Sequence, residues 1–412
     1  MPFNRNLRLR LIGFFFLCFF SKEAHADDLV IGMSAAFAGP SRGLGIELYR
    51  GSEAYIRHVN DTGGVHGRRI VIRAYNDGYD PIPAIRNTIQ LIEKDRVFLL
   101  FNYVGTPTVT RVLPLLKSYM SASVYLLFPF TGAQPHREPP YDDVVFNLRA
   151  SYRDETAGLV DHFVRSGRKR IGVFYQVDAY GRSGWDGVRR ALKKHDLRIV
   201  EEATYRRGTP YTRSFREQVE ILRRADPDAV ISIGAYAASA AFIRDARDAG
   251  WVIPIANVSF VGSENLLALL LASGRGSERD YTAHLINSQV VPSYEDTALP
   301  AVREYRDLMG RYQPMPPREI TAEDYRPLPY SFVSFEGFLN AKLLVEVLRR
   351  IGPSPDRARL RQVMEGITSL DIGILAPVSF GPRKHQGLDK VYYTTVENGR
   401  FVPLKDWERW RK

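Results

Sequence analysis

The chain has 412 residues, of which 57 are Lys or Arg and 46 are Asp or Glu, for a formal net charge of +11. The basic residues are scattered among acids in pairs such as Arg189-Arg190, Lys193-Lys194 and Arg223-Arg224; this is the pattern of a solvated surface and argues against nucleic-acid binding, while leaving contact with an anionic partner open. One cysteine in the whole chain excludes a disulfide framework.

Arg5, Arg8 and Arg10 precede the apolar run Leu11–Phe20, and Ala24-His25-Ala26 has the small-x-small pattern of a signal-peptidase site. The run is too short to span a bilayer comfortably. A cleaved secretory signal is expected, with a periplasmic mature chain starting at Asp27; an uncleaved anchor is the rival. Cleavage would remove Cys18, the only cysteine. Residues 27–412 exceed a usual single core, so two lobes are expected.

Leu29–Ala35 reads as a strand ended by the turn Phe37-Ala38-Gly39-Pro40, and Glu47–Val59 has helical apolar spacing. Arg69–Tyr75 is a second strand and Pro83–Lys94 a second helix. Val97–Tyr103 is an apolar run of strand length broken by Gly105, after which Thr106 reads as a helix N-cap with Pro107 at the first helical position. A strand passing through a Gly-Thr turn into a helix leaves N–H groups at the carboxyl end of a parallel sheet, where a carboxylate or another polar acceptor is favoured. The alternative is an ordinary strand–helix corner that binds nothing. Val124–Phe128 is the next strand, followed by the loop Phe130-Thr131-Gly132. Val144–Leu148 is short and extended, and Glu155–Ser166 is a helix.

The rhythm then restarts. Strands Arg170–Tyr175, Arg198–Tyr205, Ala229–Gly234 and Ile253–Phe260 alternate with helices Trp185–His195, Ser214–Arg224, Ala237–Ala249 and Glu264–Leu271, and Tyr180–Gly184 reads as a loop. Two such runs imply an α/β fold of two Rossmann-like lobes with parallel-rich sheets. Ala283–Val291 is extended and Ala301–Arg311 helical. Arg311–Pro329 is irregular, Pro-rich and long for a mere connector. Phe332–Ile351 is the best amphipathic helix, and Arg357–Glu365 a short one. A β tail follows at Ala376–Phe380, Val391–Glu397 and Arg400–Leu404, with Asn398-Gly399 as a hairpin turn.

No GxGxxG, Walker A or GxSxG pattern is present, and no histidines stand at metal-ligand spacing. His162, His195 and His284 sit in helix or strand patterns as surface or satisfied residues. Asp178–Asp186 lacks the closing Glu of a calcium loop. Neither catalysis nor a cofactor is expected.

In this order and spacing, Leu29–Ala35 with Gly39-Pro40, Gly51 with Ala54, Asn60–Gly67, Asn76–Pro81, Gly105–Thr108 and Tyr180-Gly181 resemble the type I periplasmic binding proteins of the leucine/isoleucine/valine-binding family. These are the substrate-binding components of ABC importers. The resemblance covers essentially residues 27–412. It implies two lobes joined by three crossover strands, one comprising Asp27–Leu148 plus Ser293–Leu388 and the other Arg149–Pro292 plus Asp389–Lys412. It also implies a ligand site made of Gly105 and Thr106, the loop Phe130-Thr131-Gly132, the second-lobe aromatics Tyr180 and Tyr236, and Phe260. The acid that pairs with a ligand ammonium in amino-acid binders falls at Ser259 or Phe260, neither acidic, and the first-lobe aromatic falls at Leu44. Glu264 reads as a first-turn acid suited to the helix dipole. The expected ligand is therefore a carboxylate with an aromatic or aliphatic body, or a larger neutral or lipid-like molecule. The implied partners are that small molecule and an inner-membrane ABC permease, or another membrane partner that senses occupancy; a monomer is expected.

Overall fold

In the computed structural model residues 27–321 and 325–411 are described; the expected signal segment and its cleavage site lie outside them. The run LVIGMSA is apolar or small at every position, as a strand covered on both faces requires, and it forms β1 (Leu29–Ala35), buried along nearly its whole length. There follow α1 (Arg42–Asp61), β2 (Ile70–Asn76), α2 (Pro81–Ile89, extended by a π-turn to Lys94), β3 (Leu100–Phe101), α3 (Thr106–Ser118), β4 (Leu126–Leu127) and β5 (Val145–Phe146). The five strands make one parallel sheet in the order β2-β1-β3-β4-β5.

The second run comprises α4 (Tyr152–Arg165), β6 (Ile171–Gln176), α5 (Ala179–Lys193), β7 (Ile199–Tyr205), α6 (Arg216–Arg224), β8 (Ala229–Ile233), α7 (Tyr236–Asp248), β9 (Ile255–Asn257), α8 (Ser263–Gly274) and β10 (Leu285–Gln289). Then come α9 (Pro300–Tyr312), α10 (Phe332–Ile351), α11 (Leu360–Glu365), β11 (Tyr392–Glu397) and β12 (Arg400–Pro403). The second sheet has the order β12-β11-β10-β9-β8-β6-β7, parallel except for β10–β11 and β11–β12. The chain thus leaves the first sheet after β5, returns after β10 to lay α9 and α10 on α1, and leaves again before β11. The first and last passages lie side by side: Gly387 donates its N–H to Asn147 O (2.8 Å) and Leu388 to Leu148 O (2.9 Å). Close packing of α1 on α10 depends on Gly51 and Gly337. A Cβ at Gly51 would meet Ser334 O at 1.7 Å, and one at Gly337 would meet Leu48 O at 2.2 Å.

Several elements differ from their expected bounds for physical reasons. The β3 and β4 ladders stop early because Asn102 and Phe128 turn to positive φ (53° and 55°) directly after them. Gly105, with φ 107°, is the residue preceding α3, so Thr106 is the first helical residue rather than the cap. Helix α5 begins at Ala179, because the Asp178 carboxylate accepts the Tyr180 N–H (3.0 Å) and caps it. Tyr180 therefore stands in a first helical turn and not in a loop. Ala376–Phe380 forms no strand: Val378 exchanges both backbone hydrogen bonds with Leu370 instead of joining a sheet. In the connector after α9 the described residues contain only a 3-10 turn, Arg318–Ile320.

Candidate functional site

Each sheet reverses its strand order once, between β1 and β3 in the first and between β6 and β8 in the second. In open α/β sheets the crevice outside the carboxyl ends at such a point is where ligands lie. The turns leaving those strands carry Thr106, Tyr180 and Tyr236, and they face one another: Gly43, on α1 beyond β1, donates its N–H to the Tyr236 hydroxyl (3.2 Å), and α3 packs against α5.

The hydroxyls of Thr106 and Thr131 are bonded to each other at 2.7 Å, and the Tyr152 hydroxyl lies 3.4 Å from Thr106. The positive φ of Gly105 turns the chain under the Tyr79 ring, which a Cβ there would meet at 2.2 Å. Gly132 likewise admits the Tyr152 ring, 2.5 Å from where a Cβ would stand, and its carbonyl accepts the Tyr152 N–H at 2.7 Å. Phe260 is the centre of a ring cluster, with centroids 4.6 Å from Tyr180, 5.3 Å from Phe130 and 5.8 Å from Tyr79; Tyr152 lies 5.2 Å from Tyr180. The Tyr180 hydroxyl donates to Gly234 O at 3.3 Å. All these side chains are at most 2% exposed, and a cavity of about 280 Å³ between α3 and α5 reaches the turn at Thr106. Burial raises the phenol pKa values of Tyr79, Tyr152 and Tyr180, keeping all three as neutral hydrogen-bonding groups.

Seven of the eight expected positions therefore meet: Gly105, Thr106, Phe130, Thr131, Gly132, Tyr180 and Phe260. Tyr236 also faces the first half: its hydroxyl accepts the Gly43 N–H, and its ring lies beside Gly262, where a Cβ would be 2.7 Å from Leu44 and 3.5 Å from the ring.

Beneath the rings lies a charged cluster that sequence reasoning missed. Arg149, 1% exposed, places its guanidinium 4.5 Å from the Phe130 centroid, 3.8 Å from Glu155 and 3.6 Å from Glu336, and donates to the Ser259 hydroxyl. Glu155 accepts the Ser259 N–H (2.7 Å), the Ser259 hydroxyl (2.9 Å) and the Ser288 hydroxyl (2.6 Å). An acid thus does stand next to Ser259, supplied by α4, but its oxygens are occupied within the protein. Burial raises the pKa of both acids against the pull of Arg149, that of Glu336 to about 7. Burial opposes the charge on Arg149 too, and Glu336 and Glu155 more than restore it. Glu264 stands in the first turn of α8 as expected, and burial lifts its pKa to about 8. Sequence signals existed for two of the missed residues: Arg149 is a lone cation between Leu148 and Ala150, and Glu336 falls within the apolar stripe of α10.

The histidines are satisfied elsewhere. His162 stacks on Trp407 (4.1 Å), His195 bonds Asp161 (2.7 Å) and His284 accepts from Trp410 (2.7 Å).

A sequence model described as periplasmic binding protein matches residues 28–400. The chain belongs to the periplasmic binding protein family. This is a family of binding proteins, not of enzymes. The chain is 24% identical over 232 residues to Leu/Ile/Val-binding protein homolog 3 of Brucella melitensis, covering 56% of this chain and 61% of that one. It thus spans about three fifths of that curated relative's length. Among solved structures, a possible leucine/isoleucine/valine-binding protein from Rhodopirellula baltica superposes with a TM-score of 0.83 at 30% identity, covering 95% of this chain and 100% of the other. A substrate-binding periplasmic protein from Ralstonia solanacearum gives 0.80 at 28% identity, covering 92% and 100%. The fold is that of the type I periplasmic binding proteins.

Proposed function

We propose that this periplasmic binding protein is the solute-binding component of an ABC importer. It captures a small ligand between two lobes and presents the closed form to an inner-membrane permease. The lobes are residues 27–148 with 293–388 and residues 149–292 with 389–412, and export follows cleavage after Ala26. The observation that carries the reading is the ring-and-hydroxyl cluster. Thr106, Thr131 and Phe130 follow β3 and β4 of the first sheet, Tyr180 and Phe260 come from the other half, and all five side chains are nearly fully buried where the halves meet. Closure on a ligand that touches both sides shifts the population toward the shut form, because only there does the ligand gain both sets of contacts.

The names of the relatives favour an amino-acid-like ligand. The chemistry of this site favours a carboxylate without an ammonium group. The paired threonine hydroxyls suit carboxylate oxygens, whereas Glu155, the acid nearest Ser259, already accepts three hydrogen bonds. A buried ammonium left without a counter-charge costs several kcal/mol, roughly.

The test is calorimetric titration of leucine, benzoate, 4-hydroxybenzoate and decanoate. A carboxylate lacking an amino group binds more tightly than leucine, and the shape-conserving pair Thr106→Val and Thr131→Val weakens it at least about tenfold; circular dichroism checks the fold, because the Ala133 N–H, 3.3 Å from Thr131 Oγ1, and the Tyr152 hydroxyl each lose a partner. Tighter binding of leucine than of every other probe refutes the ligand class. Unchanged affinity in the folded double variant refutes the site.

A further inference from the structure

Positive charge is shared unequally along the chain. Residues 149–292 with 389–412 hold 28 Lys or Arg and 21 Asp or Glu, whereas residues 27–148 with 293–388 hold 25 and 24. The excess therefore sits in the half built on the second sheet. Within that half, 161–170 and 193–198 contain seven cations and two acids. The fold brings these two segments together, because α4 packs against α5 and β6 pairs with β7 from Ile171 and Ile199 onward. Helix ends and strand starts meet here at the amino edge of the sheet, away from the carboxyl ends that face the other half.

Two of the seven cations serve the fold. Arg168 donates to Trp410 O (2.6 Å) and Asp228 O (2.7 Å), and Arg170 donates to Asp226 O (2.8 Å) and Ala225 O. Of the two acids, Asp161 is bonded to His195 (2.7 Å), which leaves Asp196. Arg165, Lys169, Lys193, Lys194 and Arg198 are exposed, and among the described residues none of the five has an ion pair or a side-chain hydrogen bond. Cations in the last turns of α4 and α5 offset the helix dipoles. Lys169 and Arg198 precede strands, where no dipole calls for them. The patch runs on into a trough of about 490 Å³ between α4 and α5, lined by Lys193 and Lys194 together with Arg153 and Arg190, and by no carboxylate among the described residues. Arg153 and Arg190 are paired with Asp186, so the unpaired charge there is that of the two lysines.

We propose that this end of the second half is a docking surface for a bilayer of anionic phospholipids, which concentrates the protein at the membrane. The five unpaired cations sit on long stems spread over two helix ends and two loops. That layout suits an array of mobile phosphates, whereas an acidic peptide would need a fixed register. Each cation held near an anionic bilayer strengthens binding by about fivefold, and the attraction fades over a Debye length, roughly 10 Å at 0.1 M salt. The crevice between the halves stays uncovered, because the patch lies at the opposite edge of the sheet.

The probe is sedimentation of the mature chain, residues 27–412, with vesicles of equimolar phosphatidylglycerol and phosphatidylcholine, and with vesicles of phosphatidylcholine alone. The chain binds the first and not the second, and raising the salt from about 0.05 M to about 0.5 M releases it. The triple variant Lys169→Gln, Lys193→Gln, Lys194→Gln weakens binding at least about twentyfold. The triple variant Arg86→Gln, Lys94→Gln, Arg111→Gln removes the same charge from exposed positions of the first half and changes binding less than about twofold. Absence of binding to the anionic vesicles overturns the proposal. Equal weakening by the two variants also overturns it, since binding then follows net charge and not this patch. Tighter binding to soluble polyglutamate than to the vesicles overturns it as well, in favour of an acidic polypeptide partner.

Discussion

Glu336 makes the sharpest statement at the scale of single residues. Its carboxyl is buried between α10 and the start of the second lobe, and despite Arg149 at 3.6 Å its pKa rises from 4.5 to about 7. The folded state thus holds this proton more tightly than the unfolded chain does. The stability it confers is complete below about pH 4.5 and is lost as the pH rises through about 7. Glu336→Gln keeps the shape and removes the titration. Between pH 5 and pH 8 the stability of the variant relative to the wild type, measured by urea unfolding, is expected to shift in favour of glutamine by roughly 2–3 kcal/mol. Asp77 and Glu264, lifted by burial to about 7 and about 8, bias both proteins in the same direction, so the difference isolates Glu336. A difference that does not vary with pH would show that Glu336 is ionised throughout.

At the scale of elements, the turn into α3 depends on one backbone conformation. Gly105→Ala puts a Cβ at φ 107° and 2.2 Å from the Tyr79 ring. It is expected to cost about 1–3 kcal/mol in backbone strain alone and to weaken ligand binding, because Tyr79 contacts Phe260; thermal unfolding and titration read the two effects separately. The same turn shows how much was legible beforehand. Thr106, Thr131, Tyr180 and Phe260 could be placed because each closely follows a strand of a regular β-α rhythm, and strand ends define the sheet edge. The bounds of α5 were not legible, since Gly181, Arg182, Ser183 and Gly184 look like a loop until Ile233 is seen packed where a side chain on Gly184 would stand. Tyr79, Tyr152, Arg149 and Glu155 were missed for a different reason. Their roles come from contacts between segments distant in the chain, and nothing in local spacing encodes those contacts. Ala376–Phe380 alternates like a strand, but its hydrogen bonds go to Leu370.

At the scale of the whole molecule, the two sheets meet through their switch points and are linked by three chain passages, two of them hydrogen-bonded side by side at 147–148 and 387–388. Among the described residues the halves meet through polar contacts such as Arg207 to Asp80 at 3.8 Å and Gln176 to the Tyr79 hydroxyl at 3.2 Å, and through the aromatic cluster within. The central claim is that ligand and closure are coupled. It is tested most directly by spin labels on Ile82→Cys and Thr212→Cys, both exposed, in a chain produced without residues 1–26 and hence without Cys18. Pulsed dipolar distances are then recorded with and without the tightest binder of the carboxylate panel. The expected result is a broad or double distribution without ligand that collapses onto its shortest component at saturation. A single distance that stays unchanged while calorimetry records binding would contradict capture by closure.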